Sequence, residues 1–161
     1  MKSPQEIFEY LKTQFGEDHF TFEEEAKVEP WIEVASEKIY EVCKLLRDDE
    51  ELDVNYMMCL SGVHYAKEEM LGVTYHLNST TKGHKITLKV KVAQDDPKVP
   101  SVESVWKTAN WHEREAYDMF GIIFENHPDL SRILCPDDWE GYPLRKDYET
   151  PEFYRDMKVP Y

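Results

Sequence analysis

The sequence predicts an α+β fold of two layers, in the order α-β-β-α-β-β-β, with a mixed or antiparallel sheet, then a helical segment and an extended aromatic, Pro-rich C-terminal tail. Three observations carry this. An apolar stripe at helical spacing follows a capped start near residue 3. A strict alternation of apolar and polar residues runs from 84 to 93. Seven of the nine prolines lie at or beyond Pro97, which marks a change of architecture in the second half.

The first element is a helix over 3–15. Ser3 and Glu6 form a Ser-x-x-Glu capping box, Pro4 suits the first turn, and Ile7, Leu11 and Phe15 fall on one face before Gly16. Two short alternating runs follow, and strands are expected at 19–25 and 30–35, with Phe20, Phe22, Ile32 and Val34 on one sheet face. Ser36 is read as the cap of a second helix ending near Asp48, whose Ile39, Val42, Cys43 and Leu46 recur at i, i+3, i+4, i+7. Residues 54–65 fit a central strand. In "MLGVTYHL" Leu71, Val73, Tyr75 and Leu77 alternate with Gly72, Thr74, His76 and Asn78. In "HKITLKVKVA" Ile86, Leu88, Val90 and Val92 oppose Lys85, Thr87, Lys89 and Lys91, so one face is packed and the other wet. Helices belong on the packed face.

After Pro100, Ser101 can cap a helix that turns Val102, Val105, Trp106 and Ala109 inward, and Asn110 can restart one through 111–120, closed by Gly121 at C′. "HPDLSRIL" allows one short helix with Pro128 at N1. Beyond it no period survives. The tail nevertheless carries Trp139, Tyr142, Tyr148, Phe153, Tyr154 and Tyr161, which a disordered segment would lack. Each can bury on the order of 150–250 Å². Either the tail folds back over its own sheet or it drapes over another protein of an assembly. A division near residue 120 is therefore expected: an α/β domain over 1–120 and an extended tail over 121–161.

Composition narrows the function. A length of 161 residues suits one core without staples. A formal charge of −14 argues against nucleic-acid or anionic-membrane binding. Cys43, Cys59 and Cys135 form no CxxC pair and read as buried small hydrophobes in a reducing compartment. The start "MKSPQEIFEY" lacks an apolar run and eighteen apolar residues never occur together, so a cytoplasmic chain with no membrane span is expected.

The densest charge lies in "WHEREAYDMFGIIFENHPDL", residues 111–130. "HERE" resembles half of a zinc-protease helix, but the position four after His112 is Ala116, and His64, His76, His112 and His127 show no ligand spacing. Glu113, Glu115 and Asp118 could form an acid–base cluster. The plainer reading is an ion-pair network in which Arg114 meets Asp118 at i, i+4. Single glycines exclude GxGxxG and P-loop sites.

"WHEREAYDMFGIIFENHPDLSRIL" followed by "DWEGYPLRKDY" resembles the signature of the respiratory-chain NADH dehydrogenase 30 kDa subunit family, whose bacterial members are the C subunits of NADH-quinone oxidoreductase, complex I. The signature spans Glu113 to Tyr148, with supporting similarity in "DDPKVPSVESVWKTANW". By position it takes in Glu113, Arg114, Glu115, Tyr117, Asp118, Phe120 and Gly121, then His127, Pro128, Asp129, Leu130, Arg132, Ile133 and Leu134, then Pro143, Leu144, Arg145, Lys146 and Asp147. One departure is Ser131, where members commonly carry the first of two arginines.

The resemblance implies a structural subunit of the peripheral arm. It would dock on the quinone-binding D subunit beside iron–sulfur subunits, on the cytoplasmic face of the membrane. It would hold no catalytic, cofactor-binding or metal residue of its own, while NADH, FMN, iron–sulfur clusters and quinone belong to other subunits. The signature residues are then expected at subunit interfaces, with some of Glu113, Arg114 and Glu115, and also Arg145 and Asp147, making charge-assisted bonds across them. A plastoquinone-reducing complex, an F420-dependent dehydrogenase and a membrane-bound hydrogenase use similar subunits. From another class, a stand-alone enzyme using Glu113, Glu115 and Asp118 is the alternative.

Overall fold

The computed structural model describes residues 1–159; Tyr161, one of the tail aromatics, lies outside the described residues. Helix α1 (Pro4–Phe15) forms as its caps dictate. The Ser3 hydroxyl accepts the Glu6 N–H and the Glu6 carboxylate accepts the Ser3 N–H, which leaves two fewer orphan donors at the first turn. Gly16 ends it at φ +89°, a left-handed value that suits glycine. Ile7 and Leu11 are fully buried.

Strands β1 (Phe20–Glu23) and β2 (Trp31–Val34) pair antiparallel, matching Phe20 with Val34 and Phe22 with Ile32, so the expected apolar face is continuous. Ser36 does not cap the second helix. It opens a short 3-10 turn over Ser36–Lys38, and helix α2 (Ile39–Asp48) follows without a side-chain cap, although Ile39, Val42, Cys43 and Leu46 are all fully buried as the period requires.

Strands β3 (Tyr56–Tyr65), β4 (Met70–Asn78) and β5 (Lys85–Ala93) complete a mixed five-stranded sheet of order β1-β2-β5-β4-β3. All neighbours run antiparallel except β2 and β5, which are parallel. A register shift between Met57 and Cys59 marks a bulge in β3. Beyond it Leu60, Gly62 and His64 face the same side as Tyr75, Val73 and Leu71 of β4.

Helix α3 (Ala109–Phe120) lies across that side of β3. The close approach needs a glycine, because a Cβ on Gly62 would come 2.5 Å from the Phe120 ring. The opposite sheet face stays polar, with Lys89 over the Trp31 ring and Lys91 between Glu33 and Glu68. The two expected layers are present.

Two expected helices are absent. Residues 101–108 make single turns, with Val105 and Trp106 N–H groups both on the Val102 carbonyl. Val102, Val105 and Trp106 are buried as foreseen, but the segment follows directly on strand β6 (Lys98–Pro100), which pairs in parallel with β7 (Ile123–Glu125), and its first N–H groups are taken by the Glu125 carbonyl and the Glu113 carboxylate. "HPDLSRIL" is likewise irregular, because the N–H groups at its end go to the Asp118 carboxylate instead of to a helical ladder. Within the tail a short hairpin, β8 (Phe153–Tyr154) and β9 (Met157–Lys158), went unforeseen. Of the cysteines only Cys43 is buried, and Cys59 and Cys135 are partly exposed.

Candidate functional site

The signature residues gather where α3 meets the chain that follows it. Asp118 sits at the centre and is fully buried. Its Oδ2 accepts the N–H groups of Ile133, Leu134 and Cys135 at 3.0, 2.7 and 2.8 Å, and its Oδ1 accepts Arg132 Nη1 at 2.6 Å. Burial alone would push this carboxyl upward. The bonds from Cys135, Arg132, Leu134 and Ile133 outweigh it and hold the group below the usual carboxylate range.

Arg132 is used just as completely. Its Nη1 also reaches the Asp118 carbonyl, and its Nη2 donates to the carbonyls of Trp139 and Gly141 at 2.9 and 3.0 Å. One planar guanidinium thereby ties α3 to the 139–141 turn, while the Asp118 carboxylate holds the 133–135 turn. The expected Arg114–Asp118 pair does not form, because Asp118 is already saturated. Arg114 instead donates to the Ser131 and Arg132 carbonyls and stacks on the Trp111 ring. Position 131 acts through its main chain, which serine supplies as well as arginine.

Glu113 is the second buried carboxyl. Its Oε2 accepts the Ser101 hydroxyl at 2.6 Å and its Oε1 the Val102 N–H at 2.7 Å, so the helix holds the turn that follows β6. Burial pushes this group up to about 7, against those two bonds. His127 lies beside it, Nε2 at 3.9 Å, donating to the Asn110 carbonyl while its Nδ1 accepts the Asp129 N–H.

Past Arg132 the chain returns to α3. Gly121 caps the helix at φ +78°, and a Cβ there would strike the Tyr142 ring at 2.6 Å. That ring is flanked by Arg132 and Arg145. Leu144 N–H donates to the Met119 carbonyl, Arg145 Nε to the Phe120 carbonyl, and Lys146 N–H to His64 of β3. The division expected at residue 120 thus falls within a hydrogen-bonded unit that extends to about residue 147.

The signature residues therefore separate into two sets. Glu113, Asp118, Arg132 and His127 are engaged within the chain, and Arg114 and Arg145 largely so; Glu113 in particular offers no carboxylate to a partner. Tyr117, Phe120 and Leu130 pack on the core and Gly121 is buried. Ile133 and Pro143 are partly covered. Glu115, Pro128, Asp129, Leu134, Leu144, Lys146 and Asp147 are exposed. Trp111 and Leu134 are each 64% exposed and Leu144 52%, unusual for large apolar groups. Sequence reasoning missed Ser101, Tyr142, Gln94 and the role of His64. Ser101 was read as a helix cap, and no periodic signal marks the others.

Among the described residues no three His, Cys, Asp or Glu side chains gather as a metal site would require, and no helix is long and apolar enough to cross a membrane. Glu113 and Asp118 are fully buried whereas Glu115 is exposed, so the three carboxyls do not face one common surface.

Comparison with known proteins agrees with this geometry. Residues 32–154 match the family described as respiratory-chain NADH dehydrogenase, 30 Kd subunit. The C subunit of NADH-quinone oxidoreductase from Chlorobium phaeobacteroides is 47% identical over 96% of this chain and 93% of its own length. The corresponding C subunit from Chloroherpeton thalassium is 58% identical over 72% of this chain, which spans 48% of that relative. Among solved structures, a trypsin-resistant fragment of Nqo5 superposes with a TM-score of 0.64 at 27% identity, covering 78% of this chain and 98% of the fragment. An archaeal membrane-bound sulfane sulfur reductase contains a chain of the same fold, with a TM-score of 0.73 at 22% identity over 90% of this chain and 85% of that one. The matched region includes every residue of the Asp118 and Glu113 clusters, and on this footing the chain belongs to the respiratory-chain NADH dehydrogenase 30 kDa subunit family, to which the C subunits of NADH-quinone oxidoreductases belong.

Proposed function

We propose that this chain is a cofactor-free assembly subunit of the peripheral arm of a proton-translocating NADH-quinone oxidoreductase. It docks on the quinone-binding D subunit and neighbouring iron–sulfur subunits at the cytoplasmic face of the membrane. NADH, FMN, the clusters and quinone are held by those other subunits. The observation that carries the reading is that Glu113 and Asp118, which an enzyme would present to a substrate, are enclosed and saturated by the chain's own donors. Large apolar groups beside them, Trp111, Leu134 and Leu144, are left outward. A stand-alone acid–base enzyme would need the opposite arrangement.

The physical contribution is rigidity. Electron transfer between cofactors of other subunits depends on fixed spacing, and a wedge locked by buried charges holds neighbours in place and keeps water from the quinone end. Trp and Arg are the side chains that most often dominate an interface, and the Arg114 guanidinium already pins the exposed Trp111 ring.

The test is binding of Trp111→Ala and Leu144→Ala to the isolated quinone-binding subunit by calorimetry. Because both side chains are more than half exposed, the free chain's folding stability should change by no more than about 0.5 kcal/mol. Binding should weaken by about 2 kcal/mol or more for at least one of them. Unchanged affinity in both variants, or no binding by the wild-type chain, would end this reading.

A further inference from the structure

We propose that His64 is a protonation-operated latch that holds the Lys146 amide against the sheet at neutral pH and, in mild acid, lets go of it in exchange for the neighbouring Asp147 carboxylate. The imidazole is enclosed, its side chain 1% exposed, at the end of β3. Both ring nitrogens are engaged. Nδ1 receives the Lys146 N–H at 2.8 Å, and Nε2 lies 2.9 Å from Gln94 Oε1.

The hydrogen-bond chain fixes the tautomer. Gln94 turns its Nε2 toward the Asp147 carboxylate, to which it donates at 3.0 Å, so its oxygen must face the ring. The His64 Nε2 therefore carries the hydrogen and donates, and Nδ1 must carry a lone pair, because a backbone N–H can only donate. The bond to Lys146 exists only for neutral imidazole.

Protonation places an N–H of the ring against the N–H of Lys146. It also has somewhere better to go, since Asp147 Oδ1 stands 3.8 Å from Nδ1. Adding one proton thus exchanges a backbone bond to residue 146 for an ion pair to residue 147. Charged groups face the ring from several elements. Glu68 and Glu69 after β3, Asp95 after β5 and Asp147 of the tail line the same open hollow of about 730 Å³. Opposing cations are Lys146 itself, Arg145, whose Nε is held by the Phe120 carbonyl of α3, and Lys91 of β5, which pairs with Glu68. Imidazole is the side chain whose ordinary titration falls between about pH 5 and 8.

His127 makes a useful contrast. It too accepts a backbone N–H at Nδ1 and donates from Nε2, but its nearby carboxylate, Glu113, faces the donating nitrogen and is engaged by Ser101 and Val102. Of these two rings, His64 is the one with a second acceptor waiting on the accepting side. The latch belongs to the free chain and stands apart from the docking reading, although the segment it holds carries the exposed Leu144.

The experiment is NMR on the full chain between pH 5 and 8. It reads the His64 ring nitrogens and the protection of the Lys146 amide, corrected for the intrinsic pH dependence of exchange. At neutral pH the ring should be the Nε2–H tautomer. Below the His64 midpoint, Lys146 protection should fall about tenfold per pH unit, following the neutral fraction. His64→Asn, whose side-chain oxygen can accept in the place of Nδ1 without titrating, should keep the protection and lose its pH dependence. The proposal is overturned if His64 shows the other tautomer or does not titrate in this range. It is equally overturned if the two midpoints differ, or if the dependence persists in His64→Asn. Should that variant not fold, the wild-type tautomer and coincident midpoints decide alone.

Discussion

The sheet with its first two helices and the segment from α3 to residue 147 are built on different physics. In the former, stability is spread over many equivalent apolar contacts, with Ile7, Leu46, Leu71 and Leu88 all fully enclosed. In the latter, a few polar groups each hold several pieces of chain: the Asp118 carboxylate accepts four donors, and Arg132 donates to Asp118 of α3 and to the Trp139 and Gly141 carbonyls of the turn beyond it. Distributed apolar packing degrades by degrees when one residue is changed. A point-to-point clamp fails as a unit, because removing its centre strands every partner in a buried place.

The largest expected effect follows directly. Asp118→Ala leaves three backbone N–H groups without their acceptor and the Arg132 guanidinium without its carboxylate, and should cost about 3–5 kcal/mol by chemical denaturation. Protease sites in 131–148 should open before those in the sheet. Cleavage first within β3 to β5 would show the two regions to be one cooperative unit.

Leu88→Ala is the counterpart on the sheet. A fully buried leucine of β5 should lose about 2–5 kcal/mol to transfer and cavity terms. Here both regions should loosen together, since the segment rests on the sheet through His64 and Phe120. Opening of the segment alone in this variant would reverse the order of dependence.

Glu113 sharpens the contrast through pH. Its carboxyl is pushed up to about 7 by burial, so the folded chain binds a proton more tightly than the unfolded one. Stability from this group is fully present below the ordinary value near 4.5 and is lost as pH rises toward 7, by roughly 3 kcal/mol in total. Glu113→Gln should abolish that slope; a slope identical to the wild type's would place its source elsewhere. Asp118, held low, contributes with the opposite sign, being lost only on acidification through its folded value.

The smallest effect belongs to the surface. Lys107→Ala breaks an exposed i, i+4 pair with Glu103 and should change stability by no more than about 0.5 kcal/mol. A larger loss would mean that charge matters outside the buried clamps as well.

The same contrast explains what was legible beforehand. Ile39, Val42, Cys43 and Leu46, or the alternation of β5, announce themselves because a periodic structure needs periodic residues. The turns at 101–106 and 127–134 looked helical by their caps and apolar spacing, yet Ser101 bonds a glutamate twelve residues away and the N–H groups of 133–135 serve Asp118. No local pattern encodes such partners. Of the residues in the family signature, Glu113, Asp118, Arg132 and Arg145 gather where α3 meets the chain that follows it. What it could not convey is direction, and the charges expected to cross an interface mostly face inward.

Native-state hydrogen exchange on the free chain tests this most directly. If buried clamps order the signature segment without help, the amides of Ile133, Leu134, Cys135 and Leu144 should be protected about as strongly as those of β4 and β5, and addition of the quinone-binding subunit should change them little. Exchange of those four amides at unstructured rates in the free chain, with protection appearing only in the complex, would mean that the partner orders the tail and that the clamps are a consequence of assembly.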